Sequence, residues 1–283
     1  MIHTSRQLKA LVRNISKGDS MRALLLIRNY FMERFLERLS LSPYRGNFIL
    51  KGGMLVSAMV GIDARSTMDI DTTIKNLPLS VESAERILTE IISVPFDDGV
   101  FFKIERIGEI MDETEYSGIR ASMTASIDTM RTPLKLDIST GDRITPKEIE
   151  YQFKLMFEDR SISVLAYNLE TVLAEKIETV LSRGTANTRL RDFYDLYILQ
   201  HDCTQTFDEN TLSAAFRITC AHRNSQAAVS KGIETLHKIR ESVEMQNLWI
   251  SYQQKFPYAK SISWEAVMEA VCDLSEICMP ASN

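Results

Sequence analysis

Residues 50–75, LKGGMLVSAMVGIDARSTMDIDTTIK, decide the fold. Two glycines, Gly52 and Gly53, lead into an apolar helical run that reaches about Val60, where Gly61 ends it. From Thr67 the pattern changes, and MDIDTTI reads as a short strand. Residues i and i+2 of a strand share a face, so Asp69 and Asp71 point one way and Ile70 the other. Two carboxylates aimed at one point repel each other and lose hydration, and a divalent cation relieves both penalties. Mg²⁺ is the natural occupant: it is hard, takes oxygen ligands, and keeps one or two carboxylates beside water and substrate phosphates. A bare DxD is more often a solvated strand edge or a turn cap, so other parts of the chain must complete such a site.

Two features do so. PLKLDIS, residues 133–139, alternates with period two: Leu134, Leu136 and Ile138 on one face, Lys135, Asp137 and Ser139 on the other. If this strand neighbours the first, Asp137 joins Asp69 and Asp71 as a third metal ligand. The glycine pair is the second feature. A helix N-terminus presents unsatisfied amides and partial positive charge, and glycine lets a phosphate approach the backbone. Gly52 and Gly53, with Lys51 beside them, form a candidate phosphate cradle, although a tight turn or close packing explains many such pairs.

The whole chain has globular composition: 283 residues, 45% hydrophobic, 25% charged, formal net charge −5. That balance argues against a general nucleic-acid coat and leaves room for a local basic cleft. The first residues lack a signal-peptide core, and no run is long enough to span a membrane, so the expected location is cytoplasmic. Four cysteines (Cys203, Cys220, Cys272, Cys278) lack CxxC spacing. Free thiols are expected; His201 with Cys203 and Cys220 with His222 only loosely resemble zinc-ligand pairs.

Residues 21–41 carry apolar side chains at helical spacing with charges between them, an amphipathic helix. Between 67 and 142, short alternating segments (MDIDTTI, VFFKIERIGEI, GIRASMTASI, PLKLDIS) are split by a helix at about 81–92 and by turns at DDG and SG. From about Asn168, which with Thr171 makes a helix start, nearly everything reads helical. The fold class expected is α+β in two lobes: a mixed-sheet domain over 1–165 and a helical domain over 166–283.

In the helical half, Lys176, Thr179 and Arg183 fall on one helix face, and Asp192 and Asp195 on one face of the next, across the short loop GTANT. Alone, such a set reads equally as a structural salt-bridge hairpin. Met and aromatic residues of the last eighty positions, among them Met245, Trp249, Tyr252, Trp264, Met268 and Met279, read as core.

Glycine pair, helix, DxD strand and later carboxylate strand together resemble the nucleotidyltransferase superfamily of the DNA polymerase β type. Methionine at position 54 and the long gap from Gly53 to Asp69 depart from its short-spaced form. With "AEK…R" and "RDFYDLY" added in order, the chain resembles the AbiEii/AbiGii toxin family of type IV toxin–antitoxin and abortive-infection systems, related to the MenT toxins. The resemblance covers about 48–199. It implies an Mg²⁺-dependent transfer of a nucleoside monophosphate from an NTP, GTP or CTP foremost, to an acceptor hydroxyl, foremost the 3′ end of tRNA. Implied metal ligands are Asp69, Asp71 and Asp137. Lys176 and Asp192 join them as catalytic residues, and Lys51, Gly52, Gly53, Thr67, Arg183, Arg191 and Asp195 form the nucleotide-binding set. Arg189 and Arg191 both fit the arginine of the last motif. Thr67 is also a candidate modification point. For tRNA, Arg183, Arg189, Arg191, Arg217 and Arg223 could supply a basic approach. The resemblance further implies a winged-helix antitoxin encoded nearby, with no stable complex required. A protein-directed transferase and a non-catalytic NTP-binding regulator are the alternatives.

Overall fold

The structure is a computed structural model that describes residues 1–110, 118–203 and 205–279. The turn expected at 117–118 lies partly outside them. The chain divides into two compact units: Met1–Ala58, Ser66–Asp142 and Ile149–Ala166 form the first; Met59–Arg65, Arg143–Glu148 and Tyr167–Asn283 form the second. The mixed α+β class is therefore observed, and the second unit also draws in two short segments from within the span expected for the first.

The first unit opens with α1 (Ser5–Ser16), capped by Thr4 and Gln7, and α2 (Ser20–Leu41), capped by Asp19. Strand β1 (Phe48–Lys51) runs directly into α3 (Gly52–Val60), whose last two residues are counted with the second unit. Then come β2 (Ile70–Ile74), α4 (Val81–Ile92), β3 (Val100–Ile110), β4 (Gly118–Ile127), β5 (Met130–Thr140), β6 (Ile149–Lys154) and β7 (Ser161–Ala166). All seven strands join one mixed sheet in the order β3-β4-β5-β2-β1-β7-β6. The pairs β2/β5 and β1/β7 are parallel and the rest antiparallel. Leu134, Leu136 and Ile138 are buried on one face of β5, as its alternation requires, and α2 packs against that strand. Phe35 of α2 meets Phe102 of β3 edge-on, with ring centroids 6.1 Å apart. The helix α1 and the strands β6 and β7 were not anticipated.

Helix α2 differs from the amphipathic reading in an instructive way. Its ionisable side chains are buried with its apolar ones: Glu33, Arg34, Glu37 and Arg38 are each at most 2% exposed. Partners from distant segments make this possible. Arg38 forks onto Asp98 at 2.8 and 2.9 Å and donates to the Val100 carbonyl. Arg34 binds Glu37 and Glu158, and Arg160 bridges those two acids. Glu33 accepts from the Met156 amide and from Asn29. Spacing along a helix reveals its faces but not which distant groups will neutralise a charged one.

The second unit centres on α5 (Leu169–Arg183), whose Asn168 cap accepts from the Thr171 amide as expected. After a short 3-10 turn come α6 (Leu190–His201), α7 (Glu209–His222), α8 (Gln226–Val229), α9 (Gly232–Glu241), α10 (Val243–Lys255) and α11 (Trp264–Cys278). An aromatic cluster holds them, with Tyr194 against Tyr258 at 4.9 Å and Trp249 stacked on Tyr252 at 5.4 Å. Met245, Trp249, Tyr252 and Met268 are buried as expected of core residues. The four cysteines are free: Cys220 and Cys278 buried, Cys203 and Cys272 half-buried. Among the described residues, no helix is long and apolar enough to cross a membrane.

Candidate active site

Parallel pairing of β2 with β5 puts Asp71 opposite Asp137. Neighbouring strands lie ~4.8 Å apart, and both residues are on the face opposite the buried Ile70 and Leu136, so the two carboxylates are immediate neighbours. Burial, then the charge of Asp137, push the Asp71 carboxyl above its ordinary value; Lys51 and the Gly53 amide oppose the shift. Asp69 lies one residue before the strand begins.

The glycine pair has a concrete explanation. Gly52 has φ +63°, and a Cβ there would stand 2.2 Å from Asp71 Oδ2. Left-handed backbone and the close approach of a carboxylate both demand glycine. The Gly53 amide, at the start of α3, donates to Asp71. The partial positive charge of that helix start is therefore satisfied by the chain's own carboxylate, where a phosphate was expected. Lys51 pairs across the sheet with Asp71 in register, and its ammonium binds Asp142. Asp142 also accepts from Ser139 Oγ at 2.9 Å.

Asp137 is clamped by a residue the sequence reading passed over. Arg120 of β4 stands opposite it and donates from Nε to Oδ1 at 2.8 Å and from Nη2 to Oδ2 at 2.6 Å. The expected three-carboxylate site is accordingly not closed: among the described residues, no group of three or more His, Cys, Asp or Glu is arranged to hold a metal ion. The donor chemistry still suits a hard cation. Two carboxylates are register neighbours, burial and the charge of Asp137 disfavour the ionised form of Asp71, and Mg²⁺ needs no more than two such ligands. Thr67 precedes the strand, is 7% exposed, and donates to the Asp69 carbonyl at 3.4 Å.

The second unit holds its own charged cluster. Lys176 of α5 donates to Asp192 at 2.9 Å and to Asp195 at 2.7 Å, both on α6. Asp195 is fully buried and also takes a fork from Arg65, at 2.6 and 3.2 Å. Burial alone would raise the Asp195 carboxyl; the charges of Arg65 and Lys176 outweigh it and hold the group below its ordinary value. Both Asp195 oxygens are engaged and the side chain has no exposed surface, so it holds Lys176 in place. Asp192, 19% exposed in its side chain, keeps one flank open. Tyr194 OH donates to the Ala64 carbonyl, so α6 grips the Met59–Arg65 segment at two consecutive residues.

The arginines separate. Arg183 and Arg189 are exposed, while Arg191 lies over the Phe256 ring at 5.1 Å. Arg217 is exposed and donates to Ser213. Arg223 is taken by Glu178 at 2.6 Å and Glu175 at 3.3 Å, which removes it from the expected basic approach. Arg120 was recoverable in part, because the alternation of GIRASMTASI puts it on the polar face; its partner needed the strand register. Arg65, paired with a residue 130 positions away, left no local signal.

A family model described as "Nucleotidyl transferase AbiEii toxin, Type IV TA system" matches residues 34–270. Solved structures with similar folds include a candidate nucleotidyltransferase from H. pylori, 15% identical, covering 90% of this chain and 92% of that one with a TM-score of 0.47. A second Helicobacter pylori chain is 16% identical, covers 90% of each and has a TM-score of 0.47. An antigenic nucleotidyltransferase-like protein from Paracoccidioides brasiliensis is 12% identical, covers 94% of each and has a TM-score of 0.30. None of the curated proteins compared with the chain matches it.

Proposed function

Since the chain belongs to the AbiEii nucleotidyltransferase toxin family of type IV toxin–antitoxin systems, we propose that it transfers a nucleoside monophosphate from an NTP to the 3′-terminal hydroxyl of tRNA, with Mg²⁺ as cofactor. The observation that carries this reading is the in-register Asp71–Asp137 pair beside the start of α3. GTP and CTP are the first nucleotides to try. The reaction arrests growth by blocking the tRNA end, as part of phage defence, and a winged-helix antitoxin opposes it.

Asp71 and Asp137, with Asp69 alongside, would hold the metal, which when bound supplies neutralising charge to the triphosphate and the transferred phosphoryl group. The acceptor oxygen bonds to the α-phosphorus, the bond from that phosphorus to the β-bridging oxygen breaks, the hydroxyl proton passes to solvent, and pyrophosphate leaves. Lys51 keeps Asp142 folded against the same face and lowers the repulsion Asp71 feels. In the second unit, Asp195 orients Lys176, and Lys176, Arg183 and Arg191 are the cations offered to phosphate oxygens. Asp192 shares the Lys176 ammonium and governs how much of its charge a phosphate receives.

The test is incubation of the protein with each α-labelled NTP, Mg²⁺ and either total tRNA or tRNA-depleted lysate. Label at the tRNA 3′ end, lost in Asp71→Asn, is the expected result. Label in protein bands alone would refute the tRNA assignment and favour a protein hydroxyl as acceptor.

A further inference from the structure

The sheet face that carries Asp71 and Asp137 continues across β5, β4 and β3, and it is open. Apart from Phe101 and Pro133, the outward residues of its rows on β3, β4 and β5 from Arg120 onward are polar or charged, while inward residues of the same strands (Ala121, Met123, Ala125, Leu134, Leu136) are core. We propose that this face is the track along which an RNA acceptor strand reaches the carboxylate pair, an inference that rests on the tRNA reading above.

Register assembles the track row by row. Nearest the carboxylates, Arg120 opposes Asp137; the next row joins Arg106, Ser122 and Lys135. Then follow Lys103, Thr124 and Pro133, and finally Phe101, Ser126 and Arg131. Rows two residues apart along a strand are ~6.7 Å apart, so the face offers cations at regular intervals over roughly 20 Å. On β3, β4 and β5 five cations (Lys103, Arg106, Arg120, Arg131, Lys135) stand against two acids, Glu105 and Asp137, with Asp71 beyond them on β2, on a chain whose formal net charge is −5. Glu105 sits at a register shift in β3 and is paired to Lys103 at 2.8 Å. A depression is lined by Lys103, Glu105, Thr124, Ser126, Arg131 and Pro133.

Charge complementarity alone would suit any polyanion; two features favour a single RNA strand. The far row ends in Phe101, an aromatic ring 71% exposed, which costs hydration where it stands and offers a stacking surface to an unpaired base. The hydroxyls of Ser122, Thr124 and Ser126 alternate with the cations; Thr124 bonds Glu105 and Ser126 donates to the Phe101 carbonyl at 3.4 Å, so both keep lone pairs to accept from a 2′-OH. An acidic peptide has use for the cations but not for that ring.

The experiment measures binding of total tRNA to the full-length protein by fluorescence anisotropy over ~50–200 mM salt. The variants are Lys103→Gln/Arg131→Gln/Lys135→Gln together, and Phe101→Ala alone. Each lost phosphate contact to a single strand removes ~0.7 from the slope of log K against log salt, so the triple variant should lose about 2 from it and at least tenfold in affinity. Phe101→Ala should lose roughly tenfold with the slope unchanged. NTP affinity should match the parent in both, since none of these residues belongs to the nucleotide or metal set. If the parent labels and binds tRNA while the triple variant keeps its slope and affinity, the track is wrong and the tRNA reading stands. If the parent neither binds nor labels tRNA and labels protein instead, the acceptor reading fails and the track falls with it.

Discussion

Replacing Asp195 with Asn tests whether the Lys176 cluster is first a structural device. The side chain keeps its shape and loses its charge. Arg65, 2% exposed, then keeps a guanidinium whose two bonds of 2.6 and 3.2 Å went to that carboxylate, and Lys176 retains only Asp192. Removing one partner of a buried pair leaves an uncompensated charge and costs about 3–5 kcal/mol. Against an ordinary domain stability of about 5–15 kcal/mol this is large but survivable. The chain's two tryptophans, Trp249 and Trp264, both lie in the second unit, so their fluorescence reports its unfolding selectively. With a urea m-value of about 1–3 kcal/mol/M, the midpoint should fall by at least 1 M. The Asp195 carboxyl is held below its ordinary value, so its contribution is complete above that value, near 3.8, and fades as pH falls through the still lower folded value. Parent stability should therefore drop with acid below about pH 4, and the Asn variant should lack that part of the drop. Asp192→Asn is the contrast: its side chain is 19% exposed and shares Lys176 through one bond, so it should lose no more than about 1.5 kcal/mol while transfer activity falls by roughly a hundredfold. An Asp195→Asn midpoint within 0.3 M of the parent, by about the precision of such measurements, would refute the hub assignment.

Other consequences follow from the first unit. Gly52→Ala adds a Cβ 2.2 Å from Asp71 Oδ2 at a backbone φ of +63°, and should destabilise the protein by at least about 2 kcal/mol in thermal unfolding; an unchanged midpoint would sink the close-approach argument. Arg120→Ala removes a cation that competes for Asp137; the Arg120 side chain is 47% exposed and the pair is worth at most about 1 kcal/mol, so Mn²⁺ should bind up to about fivefold tighter by calorimetry, and weaker binding would show that Arg120 assists the metal. Burial pushes the Glu33 carboxyl up to about 8 from an unfolded 4.5, so the folded protein holds the extra proton between those values and stability declines as pH rises through that window. Glu33→Gln should flatten that decline and be more stable than the parent at pH 8 by a few kcal/mol; a parent profile flat from pH 5 to 8 would contradict it.

What could be read in advance was what repeats locally. Period two placed Asp137 opposite in face to Leu136, and helical spacing with an Asn cap located α5 to the residue. Gly52 and Gly53 were legible as a special backbone position, but their cause was not, because it is Asp71 arriving from a strand paired to β1. Residues whose meaning lies in a partner far along the chain were invisible: Arg65 with Asp195, Arg120 with Asp137, and the buried charges of α2 with Glu158, Arg160 and Asp98. Arg223 misled for the same reason, since an arginine at a helix end reads as solvent-facing until Glu175 and Glu178 are found beside it. A one-dimensional pattern carries the sign of a charge and the face it occupies; its neutralisation is a tertiary fact.

That distinction bears on how the carboxylate face exists at all. Asp69, Asp71, Asp137 and Asp142 crowd one edge of two strands and a turn, an arrangement that repulsion should open. The fold answers with internal counter-charges placed by register: Arg120 for Asp137, Lys51 for Asp142, and the Gly53 amide at the head of α3 for Asp71. These contacts are already made in the folded sheet, so a divalent ion bound at this face would displace groups already in place. Exchange lowers affinity by whatever the displaced contacts were worth, but the displaced guanidinium does not leave. Arg120 is anchored in β4, next to Asp137 in the sheet, so its charge remains within reach of whatever anion accompanies the metal. The geometry that answers three of these four acids would therefore leave a cation poised at the site if a metal took its partner.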